Sequence, residues 1–221
     1  FDKVHGVDSE YSHLVLLCEN EEGYHNLIKL ASSAFIEGFY SKPRVDHDLL
    51  REYHGGLIAL SACLAGEIPR ALSRGDYEGA KERALFYRDL FGENNYFLEL
   101  QDHGLQAQKA INPHIVRLSA ETGIPLVCTN DAHYLTRGDA KMQRVLICIQ
   151  TNTTLDEPNP LAFETEEFYL KPEEEMRALF PALPAAFDNT AAIAERCNVE
   201  IEFAAGFASN VRSFSGTTVP R

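Results

Sequence analysis

The sequence predicts an α/β fold in which short strands and helices alternate around a parallel sheet or barrel. Three observations carry this. Four runs of β-forming residues recur at 13–18, 57–60, 96–100 and 124–129. Helical periodicity fills the intervals between them. Turn residues stand at the borders: Asn20 and Gly23 after the first run, Gly55 and Gly56 before the second, Gly104 after the third, Gly123 before the fourth. Alternation of this kind needs crossover connections, and crossovers build parallel sheets.

The elements follow in order. His13–Cys18 is a strand that stops at Glu19-Asn20-Glu21-Glu22-Gly23. Asn20 then suits the N-cap of a helix whose Tyr24, Leu27, Ile28, Leu30 and Ala31 repeat at helical spacing. Gly38 and Pro43 break that pattern, and Arg44-Val45-Asp46-His47-Asp48 leads into a short helix ending near Glu52. Leu57–Leu60 is the second strand and runs into Ser61-Ala62-Cys63. A brief helix over 66–73 precedes a longer one over 76–91, capped by Asp76 and faced by Ala80, Ala84, Leu85 and Leu90. Tyr96–Leu100 is the third strand and ends in Gln101-Asp102-His103-Gly104. The helix over 106–122 carries Ile111, Ile115 and Leu118 on one side and stops at Gly123. After the fourth strand, a helix over 137–149 leads to a polar loop through Thr153, Pro158 and Pro160, then to helices over 172–180 and 184–196. Residues 204–221 carry no period and read as a linker or tail.

Composition narrows the classes of function. A chain of 221 residues with 45% apolar and 24% charged residues suits one globular domain or barrel. No apolar run approaches the length of a membrane span. The opening Phe1-Asp2-Lys3-Val4-His5-Gly6 has neither a starting Met nor a signal-peptide pattern, and reads as the interior of a longer protein. A net charge of −13 argues against sequence-independent binding to duplex DNA and suits a site that collects divalent cations. The five cysteines are odd in number and lack a C-x-x-C pair, so neither a disulfide framework nor a zinc knuckle is indicated. Cys18, Cys128 and Cys148 lie in apolar runs, as expected of thiols in a reducing, cytoplasmic setting.

In folds of this class, reactive groups gather where strands run out at their C-terminal ends. The fourth strand runs out into Thr129-Asn130-Asp131-Ala132-His133. In strand-like geometry, residues two apart point the same way. Asp131 and His133 then converge as a divalent metal requires; the alternative is a capping Asp beside a surface His. The other strand ends offer Ser61 and Cys63, then Glu99, Asp102 and His103. Cys63 is either a thiolate ligand or a small core residue, and His103 either a ligand or a turn cap. His13 opens its strand, which on a parallel arrangement puts it at the opposite rim. His5, His25, His47, His54 and His114 have no clustered partners and are assigned to surface or packing.

Four stretches are more specific: HLVLLCENEEGYHNL over 13–27, FYSKPRVD over 39–46, LSACLAGEI over 60–68 and TNDAHYL over 129–135. In order and spacing they resemble the PHP (polymerase and histidinol phosphatase) domain family, in the form carried by bacterial replicative DNA polymerase III alpha subunits. The resemblance covers 1–203 and leaves 204–221 without a match. It implies a distorted seven-stranded β/α barrel with up to three divalent metals, zinc, manganese or magnesium, on nine ligands. His13, Cys63, Asp131 and His133 match ligand positions, with Asp131 and His133 also the catalytic pair. Arg44 is a candidate phosphate contact or a partner for an acidic neighbour. The family's opening His-x-His motif and its other early ligands would precede residue 1. The chain is therefore expected to hold the last two-thirds of the domain, with four of nine ligands and without its first strands.

For the intact family, the resemblance implies a metal-dependent 3′→5′ exonuclease or phosphoesterase, or a catalytically silent structural module of the polymerase. The silent or incomplete reading is favoured for this chain taken alone. Implied partners are the rest of the alpha chain, a proofreading exonuclease subunit, other holoenzyme subunits and, through the parent protein, primer–template DNA; no membrane is implied. A free-standing small-molecule phosphatase of the histidinol-phosphate branch is the alternative.

Overall fold

A computed structural model of the chain describes residues 11–40, 42–159 and 161–201. Strands β1 (Val15–Cys18), β2 (Leu57–Leu60), β3 (Tyr96–Leu100) and β4 (Leu126–Cys128) form a single four-stranded sheet in that spatial order. Helices α1 (Glu21–Ile36) and α2 (His47–Tyr53) link β1 to β2. Helices α3 (Glu67–Ser73) and α4 (Tyr77–Phe91) link β2 to β3, and α5 (Gln106–Thr122) links β3 to β4. A 3-10 turn at Arg137–Asp139 then leads into α6 (Ala140–Thr151), followed by α7 (Glu173–Leu179) and α8 (Pro184–Arg196). Each expected element is present within about two residues, which is the usual scatter of helix and strand ends.

Local chemistry accounts for the boundaries. Asn20 Oδ1 accepts the Gly23 amide at 3.0 Å and Asp76 Oδ1 accepts the Gly79 amide at 2.9 Å, each satisfying an orphan donor of the first turn. Gly123 ends α5 in the left-handed region at φ 72°, where a side chain would be strained.

One expectation is corrected, and one is met only in part. β2–β3 and β3–β4 are parallel, but β1 runs antiparallel to β2, pairing Val15 with Leu60 and Cys18 with Leu57. The connection does not set the direction: two helices join β1 to the antiparallel β2, and two helices also join β2 to the parallel β3. Among the described residues there are four strands and no pairing of β4 with β1, so the seven-stranded barrel is not formed by them. The segments 1–10 and 202–221, including His5 and the expected tail, lie outside the described residues.

The central strands β2 and β3 are buried on both faces, as their near-continuous apolar sequences require, while β1 is half-buried. Leu57, Ala59, Tyr96, Leu98 and Leu100 join the main core with Ile68, Ala80, Ala84, Ile111, Ile115 and Leu118 from α3, α4 and α5. Ile58, Leu60, Phe97 and Val127 alternate to the other face, against Ile193 of α8. Helix α8 also covers the outer edge of β4: Asn189 Nδ2 donates to the Leu126 carbonyl at 2.8 Å and Thr190 Oγ1 to the Cys128 carbonyl at 3.0 Å. These bonds satisfy edge acceptors that would otherwise invite pairing with another chain.

Burial pushes the Cys128 thiol up to about 12. An unfolded thiol ionises near about 8.5. Its contribution to stability is therefore complete below that pH and is lost as pH rises towards the folded value, by roughly 2 kcal/mol at pH 10. Urea unfolding of wild type and Cys128→Ala between pH 8 and pH 10.5 should show a steeper alkaline loss in the wild type. Parallel curves would contradict this.

Candidate metal centre

The reversed β1 decides where His13 stands. Antiparallel pairing places the start of β1 beside the end of β2, so His13 lies at the rim where β2 runs out and not at the opposite one. The His13 amide donates to the Ala65 carbonyl at 3.0 Å, and His13 bridges to Gly66. Its Nδ1 is 3.5 Å from Cys63 Sγ. Cys63 follows Ala62, held at φ 64°, in the tight turn between β2 and α3. Burial raises the thiol pKa of Cys63; the Ala65 amide opposes this, while Asp131 and Glu99 reinforce it. The three acidic groups thus share one field.

Asp131 and His133 also meet, with Oδ1 and Nε2 3.4 Å apart. The expected route, strand alternation, is not how they do so. β4 ends at Cys128, and Asp131 sits at φ 41°, a left-handed conformation that Asp tolerates better than most residues. A scaffold holds this turn. His103, 1% exposed, donates from Nε2 to the Asn130 carbonyl and accepts at Nδ1 from Gln108 Nε2 at 2.9 Å. Asn130 Nδ2 donates to the Tyr169 carbonyl at 3.0 Å, and the His133 amide donates to the Phe168 carbonyl at 2.7 Å. The Phe168 ring stacks on His103 at 4.2 Å and meets His133 edge-on at 5.6 Å. Burial holds the His103 pKa below its usual value despite the bond to Asn130, in keeping with a neutral ring of one tautomer.

His13, Cys63, Asp131 and Arg44 all line one cleft of about 1030 Å³, while His133 stands outside its lining, 40% of its side chain exposed. The guanidinium of Arg44 lies over the Tyr40 ring at 5.0 Å. Among the described residues, no three of His, Cys, Asp and Glu are close enough to hold one ion. The expected four ligands therefore form two pairs, His13 with Cys63 and Asp131 with His133.

The PHP domain family matches residues 3–103 of this chain. The DNA polymerase III subunit alpha of Treponema pallidum is 50% identical over 197 residues, covering 89% of this chain and 17% of its own length. The same subunit of Deinococcus radiodurans is 48% identical over 86% of this chain and 14% of its own, and that of Borreliella burgdorferi 47% identical over 84% and 16%. The chain belongs to the PHP family of DNA polymerase III alpha subunits. It spans about one-sixth of the length of these relatives. The PHP match covers His13, Arg44 and Cys63. A match over 89% of the chain necessarily reaches Asp131 and His133 as well.

Two features of this PHP segment escaped the sequence reading. His47, assigned to surface or packing, has partners: its Nε2 is 3.2 Å from both Glu67 Oε1 and the Tyr87 hydroxyl, and all three line the cleft. Burial pushes the Glu67 carboxyl up, but its bonds to His47 and Tyr87 carry it below the usual range. Glu99, noted only as a polar residue at a strand end, is 4% exposed and also lines the cleft. Burial raises its pKa, against the bonds from Thr129 and Gln101 that favour the charged form. A lone Glu in an apolar strand could have signalled this, since a buried carboxylate needs partners.

Proposed function

We propose that this chain serves DNA replication as the PHP segment of a DNA polymerase III alpha subunit, spanning 1–203 with a tail over 204–221. Its cleft holds divalent metal as part of a site that cleaves phosphoesters. The observation that carries this reading is the arrival of His13, Cys63 and Asp131 in one cleft from three separate strand ends. Imidazole nitrogen, thiolate sulfur and carboxylate oxygen suit zinc, and the oxygen donors also suit manganese or magnesium. His13, Cys63, Asp131 and His133 are the residues that would hold the metal, and Arg44 would meet a phosphate. A divalent cation there would supply Lewis-acid activation of water and charge neutralisation at a phosphodiester, the chemistry that 3′→5′ removal of a mispaired primer end requires.

The remaining alpha chain, a proofreading exonuclease subunit, other holoenzyme subunits and primer–template DNA are the partners this reading implies, in the cytoplasm. No described helix is long and apolar enough to cross a membrane. The polymerase subunits found as relatives speak against a free-standing small-molecule phosphatase. A second reading, a catalytically silent structural module, is favoured by the lack of a three-ligand group among the described residues.

Metal content by mass spectrometry separates the two. The folded chain should carry near-stoichiometric zinc or manganese, reduced at least about tenfold in Asp131→Ala/His133→Ala. No metal in either protein would leave the structural module.

A further inference from the structure

We propose that His47 is the proton-transfer residue of the cleft, with Glu67 and Tyr87 as positioning residues that leave its Nδ1 free to take a proton from water at a phosphoester. This rests on the phosphoester reading above and gives its acid–base chemistry to a residue outside the four candidate ligands.

The tautomer of His47 follows from its partners. Nε2 stands 3.2 Å from Glu67 Oε1 and 3.2 Å from the Tyr87 hydroxyl. A carboxylate only accepts, and the Tyr87 hydroxyl bonds to Glu67 as well. Burial opposes the charge on Glu67, but these two bonds outweigh it and keep the carboxyl ionised at neutral pH. Burial and the Glu67 charge push the Tyr87 pKa far up, so that group stays a hydroxyl. Nε2 therefore carries the hydrogen, and Nδ1 of the neutral ring keeps its lone pair. Both bonds of the ring go through Nε2, and Nδ1 has no hydrogen-bond partner among the described residues.

The ring is held but not sealed. Phe86 lies against it at 4.6 Å and Tyr87 meets it edge-on at 5.7 Å. The side chain is still 43% exposed, and it lines the cleft with Arg44, Cys63 and Asp131. The charged groups around it are Arg51 of α2, whose guanidinium lies over Phe86 at 5.1 Å, Glu67 of α3, and Arg83 of α4, which acts on Glu67. A carboxylate that fixes one imidazole nitrogen and leaves the other open is how hydrolases of the triad type orient a base. In the step, water gives a proton to Nδ1 as its oxygen bonds to phosphorus. The bond from phosphorus to the leaving alcohol oxygen breaks, and that oxygen takes the proton from Nδ1. One phosphodiester and one water become one phosphomonoester and one alcohol, with nothing else consumed.

Heteronuclear NMR of the imidazole nitrogens in the 221-residue chain reads the tautomer. His47 should show Nε2 protonated and Nδ1 bare, and the opposite tautomer overturns the assignment. Hydrolysis of bis(p-nitrophenyl) phosphate, with and without added manganese, reads the function. His47→Gln keeps a donor for Glu67 and removes Nδ1. Its kcat should fall at least about 100-fold while KM and the thermal midpoint hold, and the acidic limb of the kcat–pH profile should vanish. Free imidazole should restore part of the activity of His47→Ala, a rescue that a purely structural link between α2 and α3 does not give. Unchanged kcat in His47→Gln, with the wild type active, overturns this proposal and leaves the phosphoester reading standing. A lowered midpoint without imidazole rescue makes His47 a structural link and overturns it equally. A wild type inactive under both conditions overturns the phosphoester reading and this one with it.

Discussion

Gly66→Ala should destabilise the chain by about 3 kcal/mol or more, through a clash that neither neighbour can relieve. A Cβ on Gly66 would stand 2.1 Å from the Ser61 carbonyl oxygen and 3.2 Å from that of Cys63, both backbone atoms. The φ of Gly66 is −70°, so strain in the residue itself is not the cause. The cause is close approach of two chain segments: the Gly66 amide donates to the Cys63 carbonyl at 2.8 Å, and its carbonyl accepts the Arg70 amide at 3.0 Å as α3 begins. Relief requires the 61–63 turn to move away from α3, which carries Cys63 away from His13. The thermal midpoint should drop by roughly 6–12 °C for a chain of this size. Zinc affinity of whatever remains folded should drop with it. A midpoint within about 2 °C of wild type would show that the turn has room the geometry denies.

That close approach marks the boundary of what the sequence conveys. The four strands and the helices between them were legible because their apolar periods and end residues are local properties: Asn20, Asp76 and Gly123 stand where capping chemistry needs them. Strand direction is not local. The pattern from His13 to Leu60 is the same whether β1 runs with or against β2, and only the pairing of Val15 with Leu60 brings His13 to Cys63. The family resemblance identified His13 where periodicity had set it aside. Asp131 and His133 were legible as a pair, but their meeting depends on a left-handed turn that a period-two argument does not contain. The segment 163–169 received no assignment, because Phe163 and Phe168 follow no period. Their rings nonetheless pack on His133 at 4.7 and 5.6 Å. Contacts between distant loops leave no mark on the spacing of residues within either one.

His103→Leu should be the most damaging change that leaves every proposed ligand in place. Leucine fills much of the space and keeps contact with Phe168, so the loss isolates the two hydrogen bonds of the ring. Gln108, 4% exposed, loses the acceptor for its Nε2, and the Asn130 carbonyl loses its donor. Each buried group left unpaired costs about 1–3 kcal/mol, so roughly 3–5 kcal/mol in total is expected from urea unfolding. Freed of its tether, the peptide joining Asn130 to Asp131 can leave the strained φ of 41°, a conformation worth of order 1 kcal/mol or more to escape. Asp131 then turns from the cleft, and zinc affinity falls although no candidate ligand has changed. His103→Gln retains a donor that can reach Asn130 while giving up the bond to Gln108, so it should recover about half of both losses. Leucine and glutamine variants as stable as wild type would show that the Asp131 turn is held by the backbone bonds to Phe168 and Tyr169 alone. Matched losses in stability and zinc affinity, graded from glutamine to leucine, would place His103 as the residue through which β3 positions the Asp131–His133 pair.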